Sequence, residues 1–439
     1  MGADAVSEQH QGLVLRNIVS PYGLAIFSYG VFLFACAMPP SLYRAFMHEP
    51  DLMFLDAPTI LFYTLCVLAF LAGVKCFEEL FGAGPARMQK LETRFPGARV
   101  LLLPLAAGIA LSVLSSLLLV TKNPTLLVML TAQQGSELRG LDGSGLEFDG
   151  TLRSSVFFLI GILWWVFWRS GELELTRGER RWVKAGTWLA LITVFVSSSL
   201  TISRQPFVVA ISGVAILYVL RKVLAGQLTW GFVVKMTAVM VCAGTLFFFL
   251  VSWIRGGSLQ DGQADALVGY TIASYNRLAA LLDGRLHYEF AGKGIYLSNF
   301  LLFNNTFNRV VPIGKLMDIP DYFNWWASDF AAVAQAGLDG SMIYCGMFGD
   351  IFVELGWFTP LYVFGYGLLY GFTWKEMREG SLFGILMYPY FAHLITFWFG
   401  TNAVFETLTF ALFADALLLA AYERFLRFEP RLQPAYSVT

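Results

Sequence analysis

VLLLPLAAGIALSVLSSLLLV, Val100 to Val120, carries no charged side chain. It is long enough to cross the ~30 Å hydrocarbon core of a bilayer, which takes about 20 helical residues. In hydrocarbon every backbone N–H and C=O must be satisfied within the segment, so such a run is predicted to be a helix. Working outward from it, comparable apolar runs cover Leu24 to Ala37, Pro58 to Val74, Ser155 to Trp168, Ala185 to Ile202, Phe207 to Leu220, Gly231 to Ile254, Met342 to Tyr370, Leu382 to Gly400 and Val404 to Tyr422. The run from Met342 is long enough to tilt, or to begin as a helix standing above the bilayer. The predicted fold is an all-α polytopic membrane protein of about ten transmembrane helices, with one large outer loop bearing amphipathic helices.

Composition agrees. Hydrophobic residues make up 57% of the 439 and charged residues 14%, against about 25% charged in soluble domains, and mean hydropathy is +0.62. A net charge of −1 predicts little here, because the placement of Lys and Arg sets orientation. Lys75, Arg87, Lys90, Arg94 and Arg99 lie in one short loop, and Arg169, Arg177, Arg180, Arg181 and Lys184 in another. Arg221 and Lys222, Lys375 and Arg378, and Arg424, Arg427 and Arg431 follow later spans. These loops alternate with poorer ones, which predicts that both termini are cytoplasmic. Met1 to Gly12 is polar and the first apolar run ends in Met38-Pro39-Pro40, so no cleavable signal is expected. The five cysteines show no metal-ligand spacing and are expected to be small buried apolar groups.

The same counting puts the interval from Arg255 to Asp339 on the outer face, between a first bundle of seven spans (1–254) and a second of three with a cytoplasmic tail (342–439). Residues 255–341 form the predicted lid. Ala266 to Leu282 has apolar residues at helical spacing and is predicted to lie as an amphipathic helix at the interface; Asp321 to Ala336 is also predicted helical. Trp325 and Trp326 suit an interfacial aromatic belt, with a sugar platform as the other reading.

No P-loop, HExxH, GxSxG or clustered metal ligands occur. What remains is arginine on the outer side. Arg204 sits in the turn TISRQPF, Thr201 to Phe207, where its fork of donors suits phosphate oxygens; snorkelling to lipid headgroups is the competing reading. Arg255 precedes Gly256-Gly257, Arg277 and Arg285 follow, and Arg309 stands beside the amides of Asn304, Asn305 and Asn308. Carboxylates on the same side include Asp329, Asp350, Glu354 and Glu406. Asp350 and Glu354 are one helical turn apart, and act either in function or as structural partners of an arginine.

GDIFVELGWFTPLYVFGYGLLYG, Gly349 to Gly371, resembles a hallmark of the Wzy-type O-antigen and oligosaccharide repeat-unit polymerases, in which an outer acidic helix enters a span that ends in a Gly-rich cytoplasmic turn. TISRQPFVVAISGVAILYVL, Thr201 to Leu220, is similar to the Ser-Arg turn of these polymerases and of the related O-antigen ligases. The resemblance covers roughly Ala185 to Arg427. It implies a GT-C-like, metal-independent and cofactor-free glycosyltransferase of the bacterial inner membrane, with a periplasmic site that takes undecaprenyl-pyrophosphate-linked glycans. Membrane lipids and a chain-length regulator protein are the implied partners, and nucleic acid is not. By the same resemblance Arg204, and beside it Arg255 and Arg309, engage pyrophosphate. His287, Asp329, Asp350 and Glu406 are candidate bases for the acceptor hydroxyl, while Arg277, Arg285, Tyr288, Asn304, Trp325, Trp326 and Glu354 complete the substrate surface. The ligase histidine has only His287 as counterpart, in Arg285-Leu286-His287-Tyr288, which favours polymerase over ligase. A transporter without chemistry is the alternative of another class.

Overall fold

The computed structural model describes residues 17–46, 49, 53–82, 90–95, 97–126, 128, 155–201, 203, 205–254, 269–298, 312–317, 322–340 and 342–430. Each apolar run of the sequence lies on a helix. In chain order these are α1 (Pro21–Cys36), α2 (Ala57–Phe81), α3 (Arg99–Lys122), α4 (Ser155–Glu172), α5 (Arg177–Leu200), α6 (Gln205–Leu224) and α7 (Trp230–Ile254), then α8 (Ser274–Leu282) and α9 (Tyr322–Gln335), and last α10 (Gly346–Leu355), α11 (Thr359–Arg378), α12 (Leu382–Thr396) and α13 (Thr407–Leu426). Among the described residues, five stretches are long and apolar enough to cross a membrane: α2, α3, α5, α6 and the stretch Gly346–Arg378 that joins α10 to α11. Extended structure among the described residues is a two-residue antiparallel pair, Leu91–Glu92 with Glu429–Pro430.

Local chemistry sets the helix starts. Ser20 caps α1 by accepting from the Gly23 N–H at 3.2 Å, Asp56 caps α2 through Thr59 at 2.9 Å, and Ser381 caps α12 through Gly384 at 3.0 Å. Thr176 and Glu179 form a reciprocal capping box on α5, satisfying donors that a helix start leaves free. The run from Met342 is broken rather than tilted. Gly356 adopts φ +54°, a left-handed conformation that glycine takes without steric cost, and it ends α10 before a single 3-10 turn leads into α11.

The late helices pack among the early ones, and one continuous apolar core runs from Val19 to Leu426. Helices α2 and α11 approach to backbone contact. A Cβ on Gly73 would fall 2.2 Å from the Phe364 carbonyl oxygen, and one on Gly367 would fall 2.2 Å from that of Phe70. Small residues that admit such approach are a mark of helix association in membranes. Helix α12 is buried along nearly its whole length. The outward faces are apolar instead of polar: Leu103, Trp188, Ile192, Leu361 and Leu418 are all more than half exposed. That inversion fits lipid as the surrounding solvent.

Two buried ion clusters tie helices together. Arg169 on α4 donates to Glu172 at 2.6 Å and to both carboxylate oxygens of Glu423 on α13, at 2.6 and 3.1 Å, while Trp165 and Trp168 donate to the same two acids. Arg169, counted in the sequence as a loop cation, is therefore a helix-packing residue. The second cluster ties Glu49 and α8 to Asp339 and Met342. Arg277 is fully buried, donating to Glu49 at 2.5 Å, to the Ala273 carbonyl at 2.9 Å, to the Asp339 carbonyl at 2.8 Å and to that of Met342. Glu49 also accepts from Tyr43, Asn276 and the Asp339 N–H. Burial opposes the ionisation of Glu49, and the adjoining Arg277 guanidinium outweighs it, holding the carboxyl below its usual range.

The expectation of an interfacial amphipathic helix over Ala266 to Leu282 is thus corrected. The described part, α8, buries every residue from Ser274 to Leu281. It is enclosed because Arg277 finds a full set of acceptors there, and its Tyr275 ring packs against Phe32 and Tyr63 of the membrane helices. The cysteines also divide: Cys66 and Cys345 are buried, but Cys242 is exposed on α7, whose apolar surround makes burial in protein unnecessary.

Candidate functional site

The segment Thr401–Glu406, between α12 and α13, is where several elements meet. Asn402 donates its backbone N–H to Asp350 at 2.6 Å and its side-chain amide to the Tyr296 carbonyl at 3.0 Å, and its side-chain oxygen accepts from Tyr366 on α11 at 3.1 Å. The Phe405 carbonyl accepts from Ser298 at 3.3 Å. Glu406, at the start of α13, accepts from the Gln205 side chain at 3.2 Å. One short turn therefore touches α10, α11, the loop that follows α8 and the start of α6.

Two of the predicted carboxylates come off α10 on this side. Asp350 is buried and accepts from the Cys345 thiol at 3.0 Å and the Thr401 hydroxyl at 2.6 Å besides Asn402. Glu354, one turn on, accepts from the backbone N–H groups of Gly294 at 2.7 Å and Tyr296 at 2.9 Å. Gly292 and Gly294 take φ +78° and +81°, which turns successive N–H groups toward one anion as in a backbone nest. Arginine ion pairs among the described residues include those with Glu49, with Glu172 and Glu423, and with Asp283. The expected arginine partner does not appear among the bonds described for the α10 carboxylates, whose donors are backbone, hydroxyl and thiol groups.

Asp329 on α9 completes the group. It is 3% exposed and accepts from the Tyr296 hydroxyl at 2.7 Å. Burial pushes its carboxyl up to about 7, with the Asp350 charge adding and the Tyr296 hydrogen bond opposing. The Tyr296 ring lies 5.4 Å from that of Tyr288 and 5.6 Å from that of Trp325. Tyr288 donates to the Ile343 carbonyl at 3.0 Å.

The structure thus brings together Asp329, Asp350, Glu354, Tyr288 and Trp325. Glu406 stands at the end of the same turn. Trp325 departs from the belt expectation: it is buried against Ile295 and Tyr296, because its ring packs on protein. Trp326 is half-buried beside Phe330. Arg277 is drawn away into the Glu49 cluster, a correction to its place on the substrate surface that follows from its occupied donors. Arg285 is exposed and paired with Asp283 at 3.1 Å, and His287 is exposed. Arg204, Arg255, Asn304 and Arg309 lie outside the described residues. Sequence reasoning missed Tyr296, Thr401 and Asn402, which carry no motif; only the polarity of Thr401-Asn402 between two apolar runs could have marked them. No group of three His, Cys, Asp or Glu side chains placed to hold a metal ion occurs among the described residues. What the arrangement offers chemically is a proton acceptor poised near neutrality, two hydrogen-bonded acids and an aromatic wall. No protein-family model, curated protein or solved structure matches the chain.

Proposed function

We propose that the protein is an integral-membrane glycosyltransferase that polymerises lipid-linked oligosaccharide repeat units on the outer face of the bacterial inner membrane, with both termini cytoplasmic. The observation that carries this reading is the convergence of Asp329, Asp350 and Glu354 with Tyr288, Tyr296 and Asn402 beside a helical bundle with apolar outer faces. The acceptor sugar hydroxyl attacks the anomeric carbon of the lipid-linked glycan. The new C–O bond forms as the bond to pyrophosphate breaks, and lipid pyrophosphate departs with the electron pair. Asp329 takes the hydroxyl proton, a role for which a carboxyl near 7 is suited. Arg204, Arg255 and Arg309 are assigned the leaving charge, which preorganised guanidinium groups stabilise without a metal.

Gln205, the neighbour of Arg204 in sequence, is bonded to Glu406, and this supports Arg204 as the first of the three to test. In a polymerase-deficient strain the unmutated chain is expected to restore polymer ladders, Arg204→Ala to abolish them and Arg204→Lys to restore them in part. Normal ladders from Arg204→Ala remove that residue from the mechanism. Failure of the purified protein to lengthen lipid-linked repeat units in vitro overturns the proposal. Where it does lengthen them, the rate should climb as pH passes about 7 and lose that dependence in Asp329→Asn.

A further inference from the structure

Asp415 lies well inside α13, about 12 Å along the helix axis from its first residue, Thr407, and is 2% exposed. Its carboxyl is held between α13 and α4. A Cβ on Gly161 of α4 would fall 2.0 Å from one Asp415 carboxyl oxygen and 3.1 Å from the Leu412 side chain, so the acid fits there only because position 161 is glycine. That oxygen takes no hydrogen bond among the described residues.

The ionisable groups on the helices packed against α13 are engaged elsewhere. On α4, Arg169 bonds Glu172 and Glu423. On α12, His393 lies 2.9 Å from the Ser212 hydroxyl of α6, while Tyr388 and Tyr390 donate to the Val19 and Ala403 carbonyls. On α13 itself, Glu406 accepts from Gln205, Tyr422 donates to the Val100 carbonyl and Arg424 is exposed. The same two helices therefore handle two acids in opposite ways. Eight residues beyond Gly161 and Asp415, α4 brings the Arg169 guanidinium to Glu423; at the level of Asp415 it brings only a bare glycine.

An ionised carboxylate at that level would have neither counter-ion nor donor, and a group so placed sheds its charge instead. A metal ion is not an equivalent solution, because it needs several oxygen ligands, and no set of three acid, His or Cys groups placed to hold one occurs among the described residues. A single carboxyl is enough for a proton. We infer that Asp415 is a proton-binding site inside the membrane, a neutral acid that fills the space at Gly161 and keeps α4 against α13 while its proton is in place. The inference is independent of the proposed function, which gives Asp415 no part.

The test uses the full-length protein in nanodiscs and a lipophilic carbodiimide, which reacts with the protonated acid. The carboxyl proton passes to one carbodiimide nitrogen and the oxygen bonds the central carbon; the acyl group then migrates to nitrogen, leaving an N-acylurea with no group lost. At neutral pH, dicyclohexylcarbodiimide should mark Asp415 at least ten-fold more than Glu423, read by peptide mass spectrometry, and a water-soluble carbodiimide should mark neither. This arm needs no variant. In a second arm, Asp415→Asn, neutral and of the same size, should remove a slowly deuterating carboxylic acid band from the infrared spectrum. No adduct at Asp415, equal marking of the two acids, or marking of Asp415 by the water-soluble reagent overturns the inference. So does an Asp415→Asn spectrum that has lost a carboxylate band instead of a carboxylic acid band. Each of these results leaves the polymerase reading intact, and a protein that builds no polymer but carries the Asp415 adduct leaves the proton site standing.

Discussion

At the scale of single residues, two kinds of buried charge stand apart. Arg277 makes four hydrogen bonds and Glu49 is held by several donors, and a pair so enclosed is costly to break because the surviving charge loses its counter-ion. Glu49→Gln or Arg277→Ala should cost about 3–5 kcal/mol, read as a large drop in the unfolding midpoint of the detergent-solubilised protein. Arg277→Lys should recover little, since an ammonium cannot reach four acceptors in the guanidinium geometry.

Asp329 is the opposite case, an acid held without a cation among its recorded contacts. Its carboxyl sits at about 7 when folded against an ordinary 3.8, so between those values the folded chain binds a proton that the unfolded chain has lost. Stability contributed there falls as pH rises through the window and is lowest above 7. The unfolding midpoint should therefore decline from pH 5 to pH 8, and Asp329→Asn, which keeps the acceptor for Tyr296, should flatten the slope. An equal slope in that variant would assign the decline to another group.

At the scale of elements, the crossing of α2 and α11 depends on the absence of two side chains. Gly367→Val is expected to sharply reduce the yield of folded protein, because its Cβ alone overlaps the Phe70 carbonyl. Gly365→Val, two residues away on the open face, should express normally. Comparable yields from the two variants, measured by size-exclusion profile, would show that the helices part more easily than their packing implies. The helices themselves were legible in the sequence because the apolar runs, caps and prolines are local signals. The break at Gly356 was less so: a run of apolar residues marks helix content but gives no indication of which glycine takes a positive φ. Helix α8 was misplaced for a related reason, since an amphipathic period has the same appearance whether its polar face meets water or a buried carboxylate.

At the scale of the whole molecule, orientation is the claim with the widest consequence, and it is open to direct measurement. In a variant with the native cysteines replaced, a cysteine at exposed Glu289 should react with a membrane-impermeant maleimide in intact spheroplasts. One at exposed Arg177 should react only after permeabilisation. The reverse pattern would place the carboxylate cluster on the cytoplasmic side and end the periplasmic reading of the site.

The sequence by itself determined that the chain is helical and suited to a membrane, because hydropathy and run length act locally and require no knowledge of neighbours. It also marked Asp329, Asp350 and Glu354, since acids beside apolar runs stand out by composition. Only the tertiary structure decided which charges work as a clasp and which gather around Tyr296 and Asn402. Arg277 and Glu49 are separated by more than two hundred residues, and the Thr401–Glu406 turn becomes a hub through hydrogen bonds to chain more than fifty residues away on three sides. Such pairings follow from how helices pack, and packing is a property of whole surfaces that no single stretch, Val100 to Val120 included, contains.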